Sequence, residues 1–131
     1  MKLKRLIPML NVSHIETSLA FYEQGLGFSI VSDPAAVVDW RWATIRSGDT
    51  ELMLSESGGS PALKQDIDPH QDTSWPCIYY FYPDDVDALH AHLCDQGYSP
   101  SALQTTLYDM REFSIQDPDG HLLSFGQDAK Q

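Results

Sequence analysis

Residues Asp117–Gln127, with the sequence DPDGHLLSFGQ, form the stretch of this chain that best predicts its fold. The DPDG start is typical of a hairpin tip, because Pro118 restricts φ and Gly120 supplies the positive φ that a tight turn requires. Side chains alternate between two faces in the strand that leaves this turn, so Ser124 and Gly126 share one face. The segment therefore predicts a β-hairpin whose second strand presents a small hydroxyl side chain.

Length and composition indicate a single globular domain. The chain has 131 residues, enough to bury a core, and its 42% hydrophobic and 21% charged content is ordinary for a globular protein. A formal net charge of −11 argues against nucleic acid or an anionic membrane as a partner. Such a surface would favour a cationic ligand, although charge that simply keeps the protein in solution is the favoured interpretation.

The start of the chain and its cysteines indicate the compartment. The first ten residues have a basic head and a short apolar run, but Pro8 and Asn11 interrupt the run, so we expect no signal peptide. No stretch is long enough to span a membrane. Cys77 and Cys94 lie outside any metal or redox spacing and are expected as reduced thiols, the first in a strand and the second on a helix. Together these features predict a cytoplasmic location.

Hydrophobic spacing and Gly/Pro breaks divide the chain into two halves with the same order of elements. Each half begins with a strand and a helix and continues with three strands. The first half has predicted elements at Leu6–Val12, Glu16–Leu26, Phe28–Ser32, Trp40–Ser47 and Thr50–Ser55. The second half has them at Cys77–Tyr82, Val86–Gln96, Ser101–Leu107, Glu112–Gln116 and Leu122–Gln127.

The repeated order predicts an α+β fold of two βαβββ modules, each with a curved mixed sheet, that arose by internal duplication. Within one domain spanning residues 1–131, module one covers about 6–55 and module two about 77–127. The segment 56–74 between them is rich in Gly, Ser, Pro and Asp and is interpreted as a linker loop.

This duplicated plan resembles the vicinal-oxygen-chelate superfamily, which contains glyoxalases, bleomycin-resistance proteins and extradiol dioxygenases. The resemblance covers Leu6–Gln127 and includes the helix segment Ser18–Tyr22, the Gly25–Phe28 segment after it, and the terminal hairpin. Within the superfamily the chain is most similar to the bleomycin-resistance proteins. The segments that carry this closer likeness are Ile7–Leu10, Arg46–Asp49 and Arg111–Phe113.

The resemblance implies four metal-ligand positions, on the first and last strands of each module. They fall here on Ile7, Met53, Ile78 (or Cys77, if the register slips by one) and Ser124. None of these side chains offers a carboxylate or an imidazole, the donors that such divalent ions prefer. Glu51 lies on the same predicted face as Met53 and is the nearest substitute. We therefore expect no metal, no cofactor and no catalytic residue.

Strand alternation predicts a concave face lined by aromatic and acidic side chains. The predicted ligand-binding residues are Trp40, Trp42, Glu51, Met53, Tyr80, Tyr82, Glu112, Ser114 and Ser124. Such a lining suits a flat cationic or amphipathic molecule through stacking and cation–π contact. The alternative that these aromatic residues fill a core between the modules stays open.

The resemblance implies a metal-free binding protein that sequesters a small molecule, with a bleomycin-type glycopeptide as the specific ligand to test. One alternative is a metal-dependent lyase or dioxygenase-like enzyme with a shifted ligand set that uses Glu51. Another is a regulatory or structural homologue without a ligand. We also expect a homodimer, because the bleomycin-resistance relatives pair and Pro8 is suited to mark an exchanged first strand.

Overall fold

The computed structural model describes residues 1–57 and 75–129. The chain divides into two units, Met1–Ala62 and Leu63–Gln131, and each contains one four-stranded sheet. Most of the predicted linker, residues 58–74, lies outside the described residues, and Glu56 belongs to a strand. Every helix among the described residues is too short or too polar to cross a bilayer.

The described part of unit 1, residues 1–57, contains four strands and two α-helices. Their bounds are β1 Met9–Val12, α1 Ile15–Ala20, β2 Ser29–Ile30, α2 Ala35–Asp39, β3 Trp42–Ser47 and β4 Thr50–Glu56. A turn of π-helix, Phe21–Gly25, continues α1. The sheet order is β1-β4-β3-β2, with β1 parallel to β4 and the other pairs antiparallel.

Unit 2 repeats this plan with one helix. Its elements are β5 Tyr79–Phe81, α3 Val86–Asp95, β6 Gln104–Thr105, β7 Met110–Gln116 and β8 Leu122–Asp128. The sheet order is β5-β8-β7-β6, and again only the outer pair β5–β8 is parallel among these described strands. The predicted α+β fold with two βαβββ modules and mixed sheets is therefore confirmed.

Strand register makes the two modules equivalent residue by residue. In each sheet one central residue of the last strand pairs with a residue of the first strand and a residue of the third. The equivalent positions are Met9 and Tyr80, Thr44 and Ser114, and Met53 and Ser124. Ile7 lies two residues before Met9, and Ile78 lies two residues before Tyr80. Ile78, and not Cys77, is therefore the counterpart of Ile7.

The helix of each unit covers one face of its sheet. In unit 1, Ile15 and Leu19 on α1 are buried, as are Leu52 and Leu54 on β4. In unit 2, Phe113 stacks on Phe125 with ring centroids 5.0 Å apart. His90 of α3 meets Phe113 edge-on at 5.1 Å. Because side chains alternate along a strand, the predicted site residues on β3, β4, β5, β7 and β8 point to the opposite face.

The prediction that Trp40 begins a strand is wrong. Residues Ala35–Asp39 form the short helix α2, and Trp40 is its C-cap. The Asp33–Pro34 pair, which suggested a break, instead starts this helix, since the Asp33 carboxylate accepts a hydrogen bond from the backbone N–H of Ala35. Arg41 then takes a positive φ of 52°, so strand alternation begins only after it.

Several strands are shorter than predicted. β1 and β5 begin at Met9 and Tyr79, so Cys77 precedes the strand in which it was expected and is exposed. β2 and β6 contain two residues each. Both are the outermost strands of their sheets and pair on one side only, where few ladder hydrogen bonds are available to extend them.

Candidate ligand-binding face

The sheet face of unit 2 that is turned away from α3 carries a connected set of polar and aromatic side chains. We call it the unit 2 face and define it by Tyr80, Glu112, Ser114, Ser124 and Gly126. The register places Ser124 between Tyr80 and Ser114, and Glu112 directly opposite Gly126. Tyr80 and Ser124, which are 44 positions apart in the chain, therefore share one surface.

Glu112 is the centre of this face. It is only 7% exposed. Its Oε2 accepts a 2.7 Å hydrogen bond from the Tyr80 hydroxyl, and its Oε1 accepts a 2.9 Å bond from the Tyr108 hydroxyl. A buried carboxylate requires such donors, because water no longer solvates its charge.

The same contacts raise the pKa of both phenols. Burial is the largest cause that raises the pKa of Tyr80, and its hydrogen bond to the Glu112 carboxylate raises this pKa further. The pKa of Tyr108 is raised by the same two causes in the same order. Both tyrosines are therefore hydrogen-bond donors at neutral pH, and neither is suited to act as a general base.

Gly126 allows Tyr80 to reach Glu112. The Tyr80 ring lies across the backbone of residue 126, and a Cβ atom built there would overlap the Tyr80 hydroxyl oxygen. Glycine is therefore required here by a close approach between a side chain and the backbone.

Ser114 and Ser124 form a second polar pair on this face. Their Oγ atoms are 2.8 Å apart, and the residues are 4% and 8% exposed. Ser124 is one of the four positions that the resemblance assigns to metal ligands, and its hydroxyl bonds the neutral hydroxyl of Ser114. A neutral hydroxyl in this setting is a poor ligand for a hard divalent cation.

The equivalent face of unit 1 has different chemistry. Trp42 and Met53 lie on it, partly exposed, together with Glu51. The Glu51 carboxylate pairs with Arg5 at 3.2 Å and with Arg46 at 3.1 Å, and its side chain is 13% exposed. Two guanidinium groups therefore neutralise the carboxylate on which a shifted metal site would depend.

The residues present do not fit the divalent metal that the superfamily implies. Two alkyl groups, a thioether and a hydroxyl occupy the four ligand positions, and the nearest carboxylates bind arginine or phenol donors. Within residues 1–57 and 75–129, no group of three or more His, Cys, Asp or Glu side chains is arranged to hold a metal ion.

A cavity of about 350 Å³ opens in unit 2 beside the unit 2 face. We call it the Gly126 cavity. Its walls come from the end of β5, the start of β7 and the end of β8. The lining residues are Tyr82, Pro83, Asp84, Met110, Gly126, Gln127 and Asp128.

Within unit 2 the structure brings several of the predicted site residues together. Tyr80, Glu112, Ser114 and Ser124 form one surface, and Tyr82 lines the adjoining cavity. Within unit 1, Trp40 is 77% exposed at the end of α2 and lies outside the strands. Whether any of these residues binds a ligand stays a prediction.

Sequence reasoning missed Tyr108, which bonds Glu112, and Gly126, over which Tyr80 lies. Tyr108 precedes β7, where strand alternation carries no information about side-chain direction. Gly126, in contrast, lies two residues after Ser124 in a strand. A glycine inside a strand is a known sign of a close approach and could have indicated the Tyr80 contact.

Comparison with known proteins shows the family of this chain. The family model of the Glyoxalase/Bleomycin resistance protein/Dioxygenase superfamily matches residues 5–125. The bleomycin resistance protein of Geobacillus stearothermophilus is 28% identical over 130 residues, which cover 95% of this chain and 96% of that protein. A bleomycin resistance protein of Staphylococcus aureus matches with the same identity and coverage.

Solved structures show the same fold. TnmS3, an antibiotic binding protein from Streptomyces sp. CB03234, superposes with a TM-score of 0.67 at 23% identity, covering 98% of this chain and 99% of that one. An integron cassette protein from the mobile metagenome of V. cholerae superposes with a TM-score of 0.65 at 26% identity, covering 96% of each chain.

Proposed function

Because this chain belongs to the glyoxalase/bleomycin resistance protein/dioxygenase superfamily, we propose that it is a metal-free protein that binds and sequesters a small molecule. The family and the bleomycin resistance relatives support a bleomycin-binding or glyoxalase-like role. The choice between these two roles depends on the chemistry of the ligand positions.

One observation carries the proposal: the hydroxyl of Ser124, to which the resemblance assigns a ligand position, is bonded to Ser114 at 2.8 Å. The other positions, Ile7, Met53 and Ile78, offer no carboxylate or imidazole. A protein that sequesters its ligand needs tight ground-state binding and no transition-state stabilisation. Loss of the metal donors is therefore compatible with sequestration, whereas a glyoxalase-like reaction would lose its Lewis acid.

The unit 2 face supports a cationic or amphipathic ligand. Tyr80 is 38% exposed and Tyr82 is 77% exposed, which leaves aromatic surface beside the Glu112 carboxylate. A flat cation can stack on such rings and interact with the negative charge next to them. Bleomycin resistance proteins and an antibiotic binding protein are among the similar proteins, so a bleomycin-type glycopeptide is the first ligand to test.

Calorimetric titration with metal-free bleomycin tests the proposal. We expect saturable binding in the presence of a chelator, because no metal is required. The Glu112→Gln variant should bind about tenfold more weakly, since it loses the charge at the centre of the face. Glu23→Gln, on the π-helical turn of unit 1, is the control and should bind like the parent chain. No heat of binding at high micromolar ligand would exclude this glycopeptide class.

We further propose that two chains pair as a homodimer. Large apolar side chains remain exposed at and just before β1, including Leu6 at 86% and Met9 at 61%. Pairing about a two-fold axis would bury such surface and create two equivalent sites. Light scattering after size exclusion is decisive, since a mass near the 14.7 kDa of one chain would contradict the proposal.

A further inference from the structure

We infer that the Gly126 cavity binds an organic cation, with the positive group at Asp84 and Asp128 and the flat or alkyl body against Tyr82 and Met110. This inference rests on the proposed function, since it names the ligand chemistry of a small-molecule binding protein. It assigns the positive group to Asp84 and Asp128, which are not among the predicted ligand-binding residues.

The register shows how the cavity forms. Glu112 pairs with Gly126 and Met110 pairs with Asp128 across β7 and β8. Phe81 pairs with Phe125, so Tyr82 comes next to Gly126 on the other side of β8. The Tyr80 ring covers Gly126 at this point. The cavity is bounded by Tyr82 on the β5 side of β8 and by Met110 on its β7 side.

The acidic residues at the cavity favour a cationic ligand. Both charged residues that line the cavity, Asp84 and Asp128, are acidic and exposed. The other two aspartates near the start of α3 have separate roles. Asp85 caps α3 by accepting a 3.0 Å bond from the backbone N–H of Ala88, and Asp87 pairs with Arg111 at 3.0 Å. Asp84 is thus the aspartate of this group that borders the cavity.

The aromatic wall suits the body of such a ligand. Tyr82 packs against Tyr80 with ring centroids 5.2 Å apart and an angle of 57° between the rings. The remaining surface of Tyr82 is available, because 77% of the residue is exposed. A cation next to a tyrosine ring is attracted by its quadrupole, and a flat ring system stacks on it.

Size limits the occupant to a small molecule or one arm of a larger one. Ligand pockets usually measure roughly 300–1,000 Å³. The cavity, at about 350 Å³, is at the lower end of this range. A fused tricyclic amine is of the right order, whereas a folded peptide segment is not.

Two flat tricyclic probes of opposite charge test the inference. 9-Aminoacridine is a cation at neutral pH, and anthracene-9-carboxylate is an anion of the same shape. Fluorescence titration of the full chain at low ionic strength should show saturable binding of the cation. The anion should bind at least about tenfold more weakly, because its charge faces two carboxylates. Equal binding of the two probes, or no binding of the cation, would overturn the inference.

Variants then locate the probe. Asp84→Asn with Asp128→Asn should weaken 9-aminoacridine binding about tenfold, and Tyr82→Leu should weaken it about threefold. The control Asp95→Asn, which is compared with Asp84→Asn alone, removes one charge at the far end of α3, about 15 Å along a ten-residue helix. It should leave binding unchanged. A loss as large in the control would mean that the whole protein field, and not the cavity, attracts the cation.

Thermal melting of each variant separates misfolding from lost binding, since all four substituted side chains are at the surface. The probe assay and the bleomycin titration test different claims, so a negative result in one does not decide the other. Loss of bleomycin binding alone would reject the proposed ligand and leave the cavity assignment standing. Absence of cation binding, in a chain that binds bleomycin, would reject the cavity assignment alone.

Discussion

The hydroxyl of Tyr80 donates a 2.7 Å hydrogen bond to the carboxylate of Glu112, although the two residues lie on strands that are not neighbours. β8 runs between them, and Tyr80 crosses it above Gly126. The bond therefore links β5 to β7 across β8, and it can form because Gly126 has no side chain. It also holds a charged group in a position that is 7% exposed.

Gly126→Ala should destabilise unit 2 by about 1–3 kcal/mol, because the new methyl group overlaps the Tyr80 hydroxyl and forces the ring off Glu112. Urea denaturation measures the change in the free energy of unfolding. In a Tyr80→Ala background the same substitution should have a much smaller effect, since nothing then lies above residue 126. Equal effects in both backgrounds would contradict the close approach.

Glu112→Gln should lower the pKa of Tyr80 toward the ordinary value of about 10. The carboxylate raises this pKa, because a negative charge next to the phenol opposes formation of the phenolate. The burial that also raises it remains in the variant, so the return should be partial. NMR titration of tyrosine labelled at the ring carbon that bears oxygen follows the group directly, with Asp95→Asn as the control of equal charge change.

Glu16→Gln should remove an acid-sensitive part of the stability of unit 1. Arg41 bonds both oxygens of Glu16 at 2.6 Å, and these bonds lower the pKa of Glu16 from 4.5 to about 2. A lowered pKa in the folded chain stabilises it above the unfolded pKa, and this contribution is lost as pH falls through the folded pKa. The parent melting temperature should therefore decline from pH 4.5 to pH 2 more steeply than that of Glu16→Gln.

Part of that decline should persist in the Glu16→Gln variant. Arg41 also bonds Glu56, which accepts a 2.9 Å bond from the backbone N–H of Ile15, and these bonds lower the pKa of Glu56. Glu23→Gln is the matched control and should keep the full pH dependence of the parent. Parallel melting curves for the parent and Glu16→Gln would mean that the Arg41 contact does not couple to folding.

Asp85→Ala should destabilise α3 by about 1 kcal/mol. The side chain of Asp85 accepts a hydrogen bond from the backbone N–H of Ala88, which is the third residue of the helix. Asp84→Ala removes the same charge one residue earlier without removing the cap, and its effect should be much smaller. Thermal unfolding of the two variants, side by side, makes the comparison.

Removal of metal should change neither the thermal stability of the protein nor its ligand binding. Protein purified without chelator should contain less than stoichiometric transition metal by elemental analysis, and its melting temperature should be the same after dialysis against chelator. This follows from the side chains at Ile7, Met53, Ile78 and Ser124. A stoichiometric metal that chelator removes with loss of stability would instead support the enzyme with a shifted ligand set.

The alternation of side chains made much of the sheet predictable. Ala43 and Ile45 are buried against the helical side of β3, and Thr44 between them lies on the other face, as the spacing predicts. The hairpin at Asp117–Gly120 also follows from local chemistry, since Gly120 takes a φ of 92°. These features depend on neighbours in sequence, which is why local patterns determine them.

Predictions failed at the boundary between a strand and the helix that precedes it. Trp40 was assigned the concave face by counting back from Ala43, but the positive φ of Arg41 breaks the count and α2 ends at that point. That φ places the Arg41 guanidinium between Glu16 and Glu56, two carboxylates 40 residues apart. A local pattern contains no information about such distant ion pairs.

The sequence by itself determined the repeated order of elements, the face to which most strand residues point, and the loss of carboxylate and imidazole at the superfamily's ligand positions. Only the tertiary structure decided that Tyr80 and Tyr108 both bond Glu112, that Tyr80 packs over Gly126, and that Glu51 is held by two arginines. Alternation and turn chemistry act over a few residues, so they can be predicted from the order of residues along the chain. Hydrogen bonds across three strands and the packing of a ring over a glycine depend on which strands become neighbours, and this is decided when the sheets assemble.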